Sequence, residues 1–204
     1  MDFIYTLFIA LANNIDNISV RIAYSIRGIK IPILKNIWIS IITFFISSFA
    51  AFFGTIISKF LSKNTSSILS MVLLIVIGFW IMIEPYIEKE SKDKVETNDS
   101  EENDILNILK KPEIADMDNS KDIDFKEATL LGIALSINNI GGGLSAGIIG
   151  LNSFFVGFFS AIISFLALLA GNYITDFFNK CNMGKKATTL AGIILIIIGI
   201  KQII

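Results

Sequence analysis

Residues 10–28 read ALANNIDNISVRIAYSIRG, and the placing of this stretch decides the fold. Its apolar residues suit the middle of a membrane-spanning helix. Yet Asn13, Asn14, Asp16, Asn17 and Arg21 fall within nine positions. A charged group at the bilayer centre costs about 2.5–3.5 kcal/mol on insertion scales, so such groups face a bundle interior or a wet cavity rather than lipid. The stretch therefore requires other helices to receive it.

The rest of the chain supplies them. Of its 204 residues 53% are hydrophobic, too many for an ordinary soluble domain. A bilayer core about 30 Å thick takes roughly 20 apolar helical residues. Six segments qualify, at about 3–26, 37–58, 67–87, 128–149, 153–174 and 187–204. The chain opens MDFIY, with an acid where a signal peptide has basic residues, so the first segment reads as a retained transmembrane helix. The predicted class is an all-α integral membrane protein. Residues 1–87 form a first three-helix unit, 88–127 a linker and 128–204 a second three-helix unit.

Other classes find little support. The single cysteine, Cys181, excludes an internal disulfide, and with no histidine a structural zinc site is not expected. No phosphate-binding glycine loop, nucleophile elbow or nucleophile–base pair argues for an enzyme. No basic tract interleaved with aromatics argues for nucleic acid. Net charge is −1, but most acids gather in residues 88–127. That composition predicts a largely disordered, solvated linker with a short helix at DILNILKK; a tail that binds cations or a partner is the other reading.

Loop charge sets the orientation. With the N-terminus outside, the first, third and fifth loops hold thirteen Lys and Arg residues, against three on the other side. The positive-inside rule then places the linker in the cytoplasm and both termini outside.

The halves repeat. IDNISVRIAYSIRG (15–28) lies over INNIGGGLSAGIIG (137–150), matching Asp16 to Asn138, Asn17 to Asn139 and Gly28 to Gly150; Asn14 meets Ser136. GTIISKF (54–60) lies over GNYITDF (171–177), and Gly78 falls on Gly199. Three spans per half is an odd number, so the second half enters from the opposite side. The result is an inverted-topology repeat, whose substrate sites lie near the midplane. At 1.5 Å per residue Asp16 lies roughly 20 Å in from residue 3, and Asn138 roughly 15 Å in from residue 128, so the two clusters can meet.

A carboxylate with several amide oxygens suits Mg²⁺, Ca²⁺ or Mn²⁺ better than soft metals. The candidate ligands are Asp16, Asn17, Asn138 and Asn139, with Asn13, Asn14 and Ser136 beside them. The bland reading is interhelical hydrogen bonding, worth about 0.6 kcal/mol per group. Gly141–Gly143 read either as close helix packing or as an unwound segment exposing carbonyls. Arg21 either snorkels to the headgroups or serves as an internal counter-charge to Asp16.

ALANNIDNISVRIAYSIRGIKIP resembles the first signature of the YtaF-type sporulation membrane proteins, and ALSINNIGGGLSAGIIGLN resembles the second. That family is related to the MntP-type manganese exporters of the LysE-type transporter group. The resemblance covers all six spans but not the linker. It implies a sporulation-associated inner-membrane protein with a cation-exporter-like fold, moving a divalent cation such as Mn²⁺ and holding no resident cofactor. Related exporters carry an acid in the first helix of each repeat; Asp16 matches one and Asn138 stands at the other. Arg21 stands where a small residue is usual. The alternative is a transport-inactive, transporter-derived protein acting through partners or lipids. Expected partners are the lipid bilayer, a divalent cation, and a second copy or another membrane protein.

Overall fold

The computed structural model describes residues 2–91, 115–118 and 120–181, with isolated positions between 193 and 200. Six helices have described bounds: α1 (Asp2–Asn13), α2 (Ile15–Arg27), α3 (Ile33–Lys59), α4 (Lys63–Ser91), α5 (Phe125–Ile149) and α6 (Ser153–Cys181).

The expected first span is broken at Asn14, and α1 and α2 meet at 43°. The cause is local. The Asn14 side-chain Nδ2 donates to the Ala10 carbonyl at 2.8 Å, the acceptor that its own backbone N–H would use in a continuous helix. That N–H turns instead to Leu11 O at 3.3 Å. A side-chain amide competing with the backbone in this way interrupts the helical ladder.

Two glycines end the first helical segment of each half. Gly28 (φ 76°) and Gly150 (φ 94°) are left-handed C-caps. Beyond them Ile29 N donates to Tyr24 O at 2.9 Å, and Leu151 N to Ala146 O at 3.0 Å. This is the glycine-terminated closure that satisfies the last helical carbonyls. At its other end α5 begins with a capping box: Asp124 Oδ1 accepts from Glu127 N at 2.8 Å, and Glu127 Oε2 from Asp124 N at 3.0 Å.

Burial is arranged for lipid rather than water. On α3 the buried positions include Asn36, Ser40, Thr43, Ser47, Ala51 and Gly54, while Phe45, Phe49, Phe52 and Phe53 are exposed. Small and polar side chains face other helices, where backbones can approach and hydrogen bonds can form, and large apolar ones face outward. α3 packs mainly on α5 and α6, α1 and α2 lie against α6, and α4 lies against α5. Each first helical segment thus packs on the long second helix of the other half.

The ends of the bundle fix directions. At one face Lys30 forms a parallel β-bridge with Asp122, through Lys30 N to Lys121 O at 2.9 Å and Ile123 N to Lys30 O at 3.1 Å. At the opposite face the start of α1 (Asp2, Phe3, Thr6) shares a hollow of about 290 Å³ with Gly150 and Asn152, just beyond α5. The α1–α2 pair and α5 therefore run in opposite directions.

Three helical segments, Ile33–Lys59, Phe125–Ile149 and Ser153–Ala170, are long and apolar enough to cross a membrane, and the bent α1–α2 pair makes a fourth. The expected third span falls on α4, whose described apolar part, Asn64–Phe79, is shorter. The expected sixth span, 187–204, and residues 92–114, with the expected helix at DILNILKK, lie outside the described residues apart from those isolated positions. Residues 115–118 and 120–124, expected to belong to a solvated linker, form a packed turn. Ala115 and Ile123 are fully buried there, because the β-bridge holds this turn onto the loop after α2.

Candidate functional site: a buried polar cluster at the helix break

The break at Asn14 lies where the two halves meet. Asn138 Nδ2 on α5 donates to Asp16 Oδ2 on α2 at 2.8 Å, and this pair is only partly buried. Beside it Asn14 Oδ1 accepts from Asn17 Nδ2 and from Asn139 Nδ2, each at 3.3 Å. Residues that matched in the two halves of the sequence therefore face each other. Asp16 bonds its counterpart Asn138, and the counterparts Asn17 and Asn139 share one acceptor.

The network extends onto α3 and α6. Asn17 Nδ2 also donates to Ser164 Oγ at 2.9 Å. Thr43 and Ser136 hydroxyls lie 3.0 Å apart, and Ser136 Oγ donates to Gly132 O at 2.6 Å. Thr43 and Ser164 were missed by the sequence reading. Their signal was available, since Ser40, Thr43 and Ser47, and likewise Ser160 and Ser164, recur at helical spacing inside apolar runs.

Asn13 lies against Gly142, whose missing side chain makes room for the amide; a Cβ there would collide with Asn13. Helix α5 runs unbroken through Gly141–Gly143, and Gly143 lies close to Ser47 and Ala50 of α3. The glycines serve close packing, and the unwinding falls instead on the first half, at Asn14.

The donors and acceptors do not balance. The carbonyl oxygens of Asn13, Asn17 and Asn139 are buried and have no hydrogen-bond donor among the described residues. A buried amide oxygen without a donor is unfavourable by about 1–3 kcal/mol. Three such oxygens on residues around the Asp16–Asn138 pair make the cluster rich in acceptors, the ligand type a hard cation takes. The break adds the first turn of α2, which contains Asp16 and places its positive dipole end beside that carboxylate.

Arg21 is 2% exposed, and its guanidinium donates to Ile29 O at 3.3 Å. With Lys30 and Lys121 it lines a cavity of about 740 Å³ at the face that carries the β-bridge. The side chain reaches towards the loop after α2 while staying buried.

An all-helical chain with outward apolar faces and a buried polar seam between its halves is an integral membrane protein of the multi-pass kind. Comparison with known proteins narrows this. The family described as "Putative manganese efflux pump" matches residues 105–203. The "Probable sporulation protein YtaF" of Bacillus subtilis (strain 168) is 30% identical over 212 residues, covering 100% of both chains. The "Putative manganese efflux pump MntP" of Clostridium perfringens (strain SM101 / Type A) is 28% identical over 137 residues, covering 65% of this chain and 60% of that protein. No solved structure matches the chain significantly. The chain belongs to the YtaF-type family of membrane proteins, related to the MntP-type family.

Proposed function

We propose that this protein exports a divalent cation, Mn²⁺ by preference, through the polar cluster between α2 and α5, in the context of sporulation. The observation that carries the reading is the set of donor-less amide oxygens of Asn13, Asn17 and Asn139 beside the Asp16–Asn138 pair. Asp16 supplies the charge, and Asn17, Asn138 and Asn139 supply neutral oxygens, with Asn13, Asn14 and Ser136 around them. The names of the relatives support transport of manganese and the sporulation link, and nothing in them favours the transport-inactive alternative.

Six spans as a 3+3 inverted repeat fit the observations best. The matched helices run in opposite directions, the matched glycines cap them alike, and each packs on the other half's second helix. Such repeats place their site at the midplane, beside discontinuous helices. Loop charge orients this arrangement with the β-bridged face in the cytoplasm, in the cell membrane. Single cysteines at Lys30 and Asn152, in a Cys181→Ser background, test the orientation. An impermeant maleimide added to intact cells is expected to label the Asn152 position and not the Lys30 position; the reverse pattern overturns it.

Transport itself is tested by expressing the protein in cells that lack their own manganese exporter. Intracellular Mn²⁺ is expected to fall and growth in high Mn²⁺ to recover. Unchanged Mn²⁺ with the protein present in the membrane would refute the proposal.

Asn138→Asp probes the site from the other half. It sets two carboxylates at a separation now bridged at 2.8 Å, where like charges oppose each other. In detergent the variant is expected to melt below the native protein without divalent metal and to gain more from added Mn²⁺. An equal response to Mn²⁺ in both proteins would place the cation elsewhere.

A further inference from the structure

Residues 116–127 read DMDNSKDIDFKE. Counted from Asp116, carboxylates stand at positions 1 and 3, a hydroxyl at 5 and a glutamate at 12. Calcium loops of the EF-hand kind take side-chain oxygens from positions 1, 3 and 5, a backbone carbonyl from 7 and both oxygens of a glutamate at 12, with a sharp turn at 6. We propose that this turn, on the face opposite the start of α1 and separate from the membrane cluster, is a calcium-binding site.

The folded chain brings these groups together. Carboxylate oxygens of Asp116, Asp118 and Glu127 lie within 4.8 Å of one another. Oxygens sharing one ion at 2.3–2.6 Å can be no more than about 5 Å apart. Ser120 Oγ lies 2.9 Å from the carbonyl of Asp122, so the ligands expected at positions 5 and 7 are neighbours too. Lys121, at position 6, has φ 64°, in the left-handed region that glycine usually occupies. A lysine is held there with both its backbone N–H and its C=O engaged, to Asp116 Oδ2 at 3.2 Å and to Lys30 N at 2.9 Å.

A capping box and a tight turn would explain part of this arrangement, but not the acceptors left over. Asp116 Oδ1 is sealed from solvent and has no hydrogen-bond partner among the described residues. Glu127 is 3% exposed, and each of its oxygens receives one backbone donor, from Met117 at 2.8 Å and Asp124 at 3.0 Å. Each carboxylate oxygen has a second lone pair, so Glu127 is fixed in place with both oxygens still able to ligate. Asp116 is half-buried and Asp118 exposed, but a sealed acceptor without a donor is unfavourable, and a cation held between Asp116 and Glu127 removes that cost. A two-oxygen ligand in a set of six or more favours Ca²⁺ over Mg²⁺, which demands compact octahedral geometry.

The test is calorimetric titration of CaCl₂ into the full-length protein in detergent, after chelation and in the presence of excess Mg²⁺. One equivalent of Ca²⁺ is expected to bind. Asp118→Ala, at an exposed position, is expected to weaken binding at least ~10-fold, since even a supporting group around a metal is worth that much. Glu127→Gln, which keeps the side chain's shape, is expected to do the same. Asp16→Asn in the membrane cluster is expected to leave Ca²⁺ binding unchanged. Absence of Ca²⁺ binding at millimolar concentration overturns the proposal. So does binding that Asp16→Asn abolishes and Asp118→Ala leaves intact.

Discussion

Replacing Asp16 by asparagine is expected to abolish manganese efflux while leaving the protein folded. The substitution keeps the side chain's shape and an oxygen able to accept from Asn138, which now donates to Asp16 at 2.8 Å. What disappears is the one acidic charge of the cluster. Groups that merely support a metal ligand change affinity by about 10–100-fold, and removal of a charged ligand should reach at least that range. Intracellular Mn²⁺, followed in cells without their own exporter, should stay as high with the variant as with an empty vector. Thermal unfolding in detergent should match the native protein to within a few degrees. A variant that still lowers Mn²⁺ would mean that the acceptor-rich cluster is structural and that transport proceeds by another route.

The second large effect is expected from Gly147→Val. Gly54 on α3 and Gly147 on α5 face each other so closely that the two backbones touch. A Cβ on Gly147 would collide with the Ala51 carbonyl oxygen and lie 2.8 Å from Thr55 N; one on Gly54 would collide with Leu144 O. Backbone atoms cannot swing aside as a side chain can. Overpacking of this kind usually costs about 1–3 kcal/mol, and here the upper end is expected because α3 and α5 would have to separate along their length. The polar cluster depends on that closeness, through the 3.0 Å contact of Thr43 with Ser136. The variant should show a clearly lowered melting temperature and reduced efflux. Ile140→Val on the outward face, where Ile140 is 48% exposed, should be neutral in both assays. Equal melting temperatures would show that α3 and α5 are not packed through these glycines.

Much of this architecture could be read before any coordinates. The run from Asn13 to Arg21 cannot face lipid, and its repetition around Asn138 pointed to the partner helix; Asp16 and Asn138 are in fact hydrogen-bonded. Gly28 and Gly150 were paired by alignment alone and prove to be equivalent caps, because only glycine enters the left-handed region at no steric cost. The helix break was not legible, since hydropathy averages over many residues while the interruption comes from one side-chain amide taking one carbonyl. The turn at 116–127 was hidden for a related reason. Composition counts charges without regard to spacing, so a segment with carboxylates at defined positions looked like any solvated linker. Thr43 and Ser164 were overlooked because single hydroxyls scarcely alter the apolar average of a span.

The β-bridge between Lys30 and Asp122 has a consequence for how the chain tolerates change. It joins the loop between α2 and α3, inside the first half, directly to the segment entering the second. The segment that follows residues 92–114 is thus held to the first half by backbone hydrogen bonds of its own, apart from the packing of α4 on α5. A shift of one residue between Asp116 and Glu127 would therefore disrupt the bridge and the spacing of the carboxylates together.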